Sequence, residues 1–550
     1  ITVADPLIMD CWAAYGRRPG KDAEERWSLE HLLEDMDFYG IAGALVRHEQ
    51  ATQYDASYTN RRLIAEISSH RDRLYPCWNA MPHQTGEFVS PEELVRAMDG
   101  EGVKAVTLRP KTNIYPLHED VLAPLASALN PRQMLILTTM DELDHSYESA
   151  VRFCRIFRDC PVIIAEASWS DWRTMIAIMD SCPNARLEFH SFQANRAVDA
   201  FAERFGVERV LFGSGLLRFS AGGARGFVDW SLMDDEATAR FAGGNLAELI
   251  GVSKLPAKPS AADPDELVTA ARGGLAVPCP VIDAHSHVLH DGLNGAGRHY
   301  VMLRGDMANM IELNRRAGID ASAISAWNSI IGMDIEDGSA LIEDLVRRYP
   351  DYAIGLATCD PTTQSRDEIS QLCERFYLKS GFRGMKPYQT NRLSFSHPDY
   401  EPFWTFCNDH RLYGLMHTAD HIGGIESVCQ LAKTYPEATF LIAHTGQSWS
   451  YARQVAAAVQ SHPNIMAELT YTTVCNGLIE WLCRTIGADR VLFGTDSPMR
   501  DPRPQVGWCV YTRLNCDDKK KILGGNFARI LKRGNIPGHR LPGIVEDYHL

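Results

Sequence analysis

The sequence is written twice. Glu208-Arg-Val-Leu-Phe-Gly-Ser-Gly215 returns as Asp489-Arg-Val-Leu-Phe-Gly-Thr-Asp496, 281 positions later. Gly243-Gly-Asn245 returns as Gly524-Gly-Asn526 at the same spacing. Pro183-Asn184 and Glu188 match Pro463-Asn464 and Glu468 at 280, and Ile163-Ile-Ala165 matches Leu441-Ile-Ala443 at 278. Leu108-Arg-Pro110 matches Met385-Lys-Pro387 at 277, and Asp10 matches Asp283 at 273. So smooth a drift, over a period far longer than a solenoid repeat, points to a duplicated or fused domain.

The seam is rich in proline: Pro256, Pro259, Pro264, Pro278 and Pro280. We expect a first domain over 1–253, a linker over 254–280 with room for a short helix at 264–272, and a second domain over 281–550. In the second half, strand-like runs at 281–284, 321–325, 353–357, 384–386, 413–416, 439–443, 465–469 and 490–493 alternate with helical patterns. The helical patterns lie at 306–316, 338–348, 366–379, 400–410, 425–435 and 451–461. That alternation predicts an α/β protein of two tandem TIM-like (β/α)8 barrels, the first a degenerate copy. A doubly wound open sheet is the alternative, but no Gly-rich dinucleotide loop accompanies the pattern.

With 45% hydrophobic and 23% charged residues, the 550-residue chain has globular composition, which excludes disorder and fibrous repeats. Net charge is −15 and there is no long basic run, so no nucleic-acid partner is expected. No apolar run approaches the ~20 residues of a membrane span. The 14 cysteines form no CxxC pair and read as reduced thiols, and no basic stretch leads into a long apolar run near Ile1, so the expected location is cytoplasmic.

Active sites of such barrels sit at the C-terminal ends of the strands. In the second half the first strand runs into Asp283-Ala-His285-Ser-His287, where alternation places both imidazoles on one side. The fourth strand ends in Lys386, the fifth in His417, the sixth in His444, and the eighth runs on to Asp496. Singly, each has a plain structural reading: a hydrogen-bonded histidine, an ion-paired lysine, an aspartate forming a turn. Together, nitrogen and carboxylate donors at five strand mouths read as a metal site.

These residues resemble the metal-dependent amidohydrolase superfamily, in the group that includes aminocarboxymuconate-semialdehyde-type decarboxylases. The carriers are the His285/His287 pair, Gly381-Phe-Arg-Gly-Met-Lys386, the His417 strand, Ala443-His444-Thr-Gly446 and Phe493-Gly-Thr-Asp496-Ser-Pro. The resemblance implies that His285, His287, His417 and Asp496 hold one divalent ion, Zn2+ in the first instance, with Mn2+, Fe2+ or Co2+ also suited to the set. It implies that His444 and Asp496 are catalytic, polarising substrate and moving the proton of an activated water. Lys386 is the bridge a second ion would need, although one ion is expected.

At the matched positions the first half offers Trp12, Ala14, Arg109, Thr138, Glu166 and Gly215, so a metal-free barrel is expected there. It would serve packing between the barrels, or lend Arg47, His48, Arg109 or Arg218 to the second half's pocket, the alternative being that these four face their own vestigial pocket. Around the intact site Arg298, Tyr300, Trp327, Tyr388, Trp449 and Arg500 are candidate substrate contacts, and aromatics with arginine suit a planar or carboxylated small molecule. The function expected first is hydrolysis of an amide, lactone or ester bond. Non-oxidative decarboxylation by the same site is the alternative, and a non-catalytic binding scaffold the second alternative. Pairing of the two barrels is expected, with a homo-oligomer as a further option.

Overall fold

A computed structural model describes residues 5–259, 264–292, 300–387, 392–419 and 421–548. The chain divides into two compact units, Ile1–Pro264 and Asp265–Leu550. The seam contains a short helix, Glu266–Arg272, which belongs to the second unit.

The first unit has eight parallel strands in sequential order. They are β1 (Ile8–Tyr15), β2 (Ile41–His48), β3 (Leu74–Ala80), β4 (Ala105–Leu108), β5 (Leu135–Thr139), β6 (Val162–Ala165), β7 (Ala185–Glu188) and β8 (Val210–Leu211). The second unit repeats the plan with β9 (Val281–Val288), β10 (Ile319–Ala326), β11 (Ala353–Ala357), β12 (Gly384–Met385), β13 (Tyr413–Met416), β14 (Thr439–Ile442), β15 (Ile465–Glu468) and β16 (Val491–Leu492). Backbone bonds close each sheet on itself. Cys11 N donates to Phe212 O at 3.0 Å and Gly215 N to Trp12 O at 3.1 Å; Ala284 N donates to Phe493 O at 3.2 Å and His287 N to Ser497 O at 2.7 Å. These are the two tandem (β/α)8 barrels the alternation predicts.

Strands of the second barrel are buried on both faces. Leu441 and Ala443 join Ile282, Leu356, Leu415 and Phe527 in the barrel interior, while Phe440 and Ile442 pack outward against the helices with Phe403 and Trp404. β9 and β10 run longer than the pattern suggests because their register slips twice, once between Asp283 and Ser286. β1 slips against β2 at the matching place, between Asp10 and Ala13. A bulge re-aims the side chains around it, and here it falls inside the Asp-Ala-His segment.

The repeated motifs have structural work in both barrels. The Nδ2 of Asn184 donates to Cys154, Phe157 and Cys160 carbonyls, and that of Asn464 to Ala432, Tyr435 and Ala438. Asn245 Nδ2 reaches the carbonyls of Val207 and Val210, as Asn526 Nδ2 reaches those of Ala488 and Val491. The preceding glycines let this last segment touch the first strand: a Cβ on Gly243 would lie 2.7 Å from Leu7 O, and one on Gly524 2.4 Å from Pro280 O. Replacing Asn526 with Ala strips two carbonyls of their buried donor. We expect a loss of about 1–3 kcal/mol in denaturant unfolding of the second barrel, and an unchanged midpoint would refute this role.

Candidate metal centre

Each functional side chain of the second barrel hangs from a strand end. β9 carries His285 and His287, buried at 1% and 2% exposure. Asp496 lies two residues past the Phe493-Gly494 pair that follows β16, and His444 two residues past β14. Both hold left-handed backbone, at φ 55° for Asp496 and 64° for His444. Such a conformation costs a non-glycine residue about 1–2 kcal/mol and is held only where surrounding structure fixes it.

The rings are oriented from behind. His285 Nδ1 faces Glu468 Oε2 at 3.1 Å, His287 Nδ1 faces Ser325 Oγ at 2.9 Å, and His444 Nδ1 donates to Thr470 O at 2.9 Å. The opposite nitrogens turn toward Asp496: His287 Nε2 is 2.9 Å and His285 Nε2 3.7 Å from its Oδ1. One ligand atom from each of His285, His287 and Asp496 lies within 4.8 Å of the others. A second cluster of the same compactness, His285, His444 and Glu468, serves to orient rings, because Glu468 also accepts from His444 N at 3.3 Å and from Thr470 N at 2.8 Å. Gly494 makes room for that carboxylate, since a Cβ there would sit 2.4 Å from Glu468 Oε1.

His417 stands beside this cluster, its ring 4.8 Å from that of His444. Its Nδ1 is buried without a hydrogen-bond partner among the described residues. Burial pushes His285, His287 and His444 well below the ordinary imidazole range, with Lys386 adding to the effect on each; His417 falls to about 3 for the same reasons. All four are neutral near pH 7, the state a metal ligand needs. Neutral nitrogens, one carboxylate and an orphaned imidazole nitrogen fit a divalent cation. His285, His287 and Asp496 would hold it, with His417 alongside.

Lys386 is buried, its Nζ 3.4 Å from His285 Nε2. Burial lowers it to about 7, against the opposing pull of Glu468. Arg500 is buried beside the ligands: its Nη1 donates to Asp496 Oδ2 and its Nε to Thr472 Oγ1 at 2.9 Å. Trp327 stacks edge-on to His287 at 5.2 Å and to Tyr300 at 5.1 Å. Trp449 packs against Trp481, at 5.9 Å. Arg298 and Tyr388 lie outside the described residues.

Sequence reasoning passed over two members of this site. Glu468 was visible as a repeat match with Glu188, yet nothing local tied it to His285, 183 positions away. Tyr471, 5.3 Å from the Arg500 guanidinium and 6.2 Å from the His444 ring, carries no motif.

At the corresponding strand ends of the first barrel, Glu166 and Gly215 keep the left-handed backbone, at φ 54° and 71°, without the ligands. A Cβ on Gly215 would lie 2.8 Å from His190 Cδ2, so a side chain there is excluded by a neighbour as well as missing. Both clusters of three potential ligands described above lie in the second barrel.

A family model described as amidohydrolase matches residues 10–268 and again 282–533. The chain belongs to the amidohydrolase family. The model matches once in each barrel, as a tandem duplication requires. Among solved structures, an uncharacterized TIM-barrel protein from Bordetella bronchiseptica is similar, with 19% identity over 46% of this chain and 99% of its own, TM-score 0.38. So is 2,6-dihydroxybenzoate decarboxylase from Rhizobium, at 16% identity, 46% and 99% coverage and TM-score 0.38. A dihydroxybenzoic acid decarboxylase from Polaromonas sp. JS666, with bound manganese and 2-nitroresorcinol, matches at 17% identity, 46% and 97% coverage and TM-score 0.38. No curated protein matches the chain. No helix among the described residues is long and apolar enough to cross a membrane.

The carboxylate of Glu468 faces His285 Nδ1 and leaves Nε2 turned toward Asp496, so Glu468→Gln should weaken divalent-metal affinity by about 10–100-fold. Competition with a chromogenic chelator measures it, and an unchanged affinity would deny Glu468 that role.

Proposed function

We propose that the second barrel is a metal-dependent decarboxylase of a small planar carboxylate, aromatic or muconate-like. Arg500 carries this reading. A buried guanidinium beside the ligand cluster is built for a carboxylate. Its Nη1 and Nε are engaged by Asp496 and Thr472, and among the described residues Nη2 makes no hydrogen bond. Tyr300, Trp327 and Tyr471 add aromatic faces around the same ligands, which suits a flat substrate.

A bound divalent ion, Zn2+ or Mn2+ by donor type, would supply a Lewis acid. The chain's own residues do the rest. Arg500 holds the substrate carboxylate. The bond from that carboxyl to the ring carbon breaks, CO2 leaves, and the electron pair stays on carbon. One proton then replaces the carboxyl, so that R–COO⁻ and H⁺ give R–H and CO2. His444 is the group to relay that proton: with Nδ1–H donated to Thr470 O, the Nε2 of the neutral ring takes a proton from water and passes it to the carbon that lost CO2.

Hydrolysis, the reaction expected first from sequence, asks Asp496 to accept a proton from water. That carboxylate already accepts from Arg500 and lies 2.9 Å from His287 Nε2. With one oxygen held by the guanidinium and the other beside an imidazole nitrogen, the carboxylate is already engaged on both sides, which supports decarboxylation over hydrolysis.

The test is a panel of hydroxylated aromatic and unsaturated carboxylic acids with metal-loaded protein, read by CO2 release. We expect turnover, and a fall in kcat/KM of about 10²-fold or more for Arg500→Gln. Turnover of amides, lactones or esters without CO2 would give the site to hydrolysis instead.

A further inference from the structure

The mouth of the first barrel encloses a cavity of about 150 Å3. Its lining is unlike that of the metal centre. Trp12 stands where the second barrel has His285, and the Arg47 guanidinium lies over its indole at 3.5 Å from the ring centroid. Arg109 stands 5.3 Å from the same ring, at the position of Lys386. Arg47 pairs with Ala14 in register as Ser325 pairs with His287, so an arginine has replaced the hydroxyl that orients a metal ligand. Glu166, at the position of His444, accepts from Trp12 Nε1 at 3.2 Å.

The cations here are under-compensated. Four arginines line the cavity against two glutamates, in a chain whose net charge is −15. One of the four, Arg18, is neutralised by Glu25 at 2.6 Å. Arg109 comes no nearer than 3.7 Å to Glu142, a carboxylate already accepting from Lys111 N at 2.7 Å and Thr112 N at 3.0 Å. The Nε atoms of Arg47 and Arg109 are buried without a hydrogen-bond partner among the described residues. Burial and the charge of Arg109 together hold Arg47 below the usual guanidinium range. Glu166 faces Arg47, Arg109 and the exposed Arg218 together, with Glu49 also acting on Arg47 and Glu142 on Arg109 from 3.7 Å. Buried guanidinium edges left unpaired are costly, and an anion from solution would satisfy them.

We propose that this cavity is a second ligand site, taking a small planar organic carboxylate that Arg47, Arg109 and Arg218 bind beside the Trp12 indole. The volume matches cavities of about 150 Å3 that hold a single benzene ring. The planar forks match a carboxylate edge, and the Arg47 guanidinium, stacked on the Trp12 indole, gives the ring a flat cation to lie against. The site needs no metal and does not depend on the reaction proposed for the second barrel.

Benzoate is the probe, titrated calorimetrically into the full chain after chelator treatment. An Arg500→Gln background keeps binding at the second barrel out of the signal. One equivalent should bind. Arg47→Gln or Arg109→Gln should weaken it by about tenfold or more, and Arg218→Gln by less. Arg218 is exposed, so its variant tests the site even where a buried substitution impairs folding, which circular dichroism reports. Absence of benzoate binding at millimolar concentration would overturn the proposal, as would an affinity indifferent to all three substitutions. Inorganic phosphate displacing benzoate with higher affinity would overturn the choice of a planar carboxylate.

Discussion

A single buried aspartate holds each barrel shut where its first strand meets the turn beyond its last. Asp283 accepts from His285 N at 2.9 Å, Ser322 Oγ at 2.7 Å, Thr495 N at 3.0 Å and Thr495 Oγ1 at 2.6 Å. It thereby ties β9 to β10 and to the turn beyond β16. His285 and Asp496 belong to the two segments so joined, and their separation is set by that joint. Burial alone would keep the carboxyl protonated; the four donors oppose it, and the balance puts it at about 7. Asp10 ties β1 to the turn beyond β8 in the first barrel through Trp12 N at 2.8 Å, Ser214 N at 3.0 Å and Ser214 Oγ, at about 6.

With the joint kept, the two barrels have parted in side chains while retaining backbone. The bulge in the first strand and the left-handed residues after the sixth and eighth strands recur in both. So does a buried glutamate at the end of the seventh. Glu468 points His285 outward; Glu188 receives His190 N at 2.5 Å and Nδ1 at 2.8 Å. The difference lies in what supplies positive charge at the mouth. One barrel arrays neutral nitrogens and a carboxylate that could hold a cation, and the other has arginines covalently in place.

The barrel plan was legible because its signals are local. β11 and β13 match the periodic runs to the residue, and the helices Asp306 and Ser448 cap lie within two residues of the expected spans. Shortfalls occur at β12 and β16, where two residues pair and the chain turns at once into site loops. The site was half legible. Donors at strand mouths follow from topology, so His285, His287 and Asp496 could be read without coordinates. Glu468 could not be placed, because its role depends on a contact across the barrel. Arg500 was read as a substrate contact, and its bond to Asp496 arises from a turn that periodicity does not encode. For Arg47, Arg109 and Arg218, sequence left two destinations open, and all three line the cavity of their own barrel.

The central claim is that one barrel of two grips a divalent cation. Anomalous diffraction from a crystal of the full chain grown with Mn2+ or Zn2+ tests it directly. A single anomalous peak among His285, His287 and Asp496, absent when Asp496 is replaced by the glycine its counterpart carries, is the predicted result. A peak among Trp12, Thr138 and Gly215, or no peak at His285 in metal-replete crystals, would contradict it.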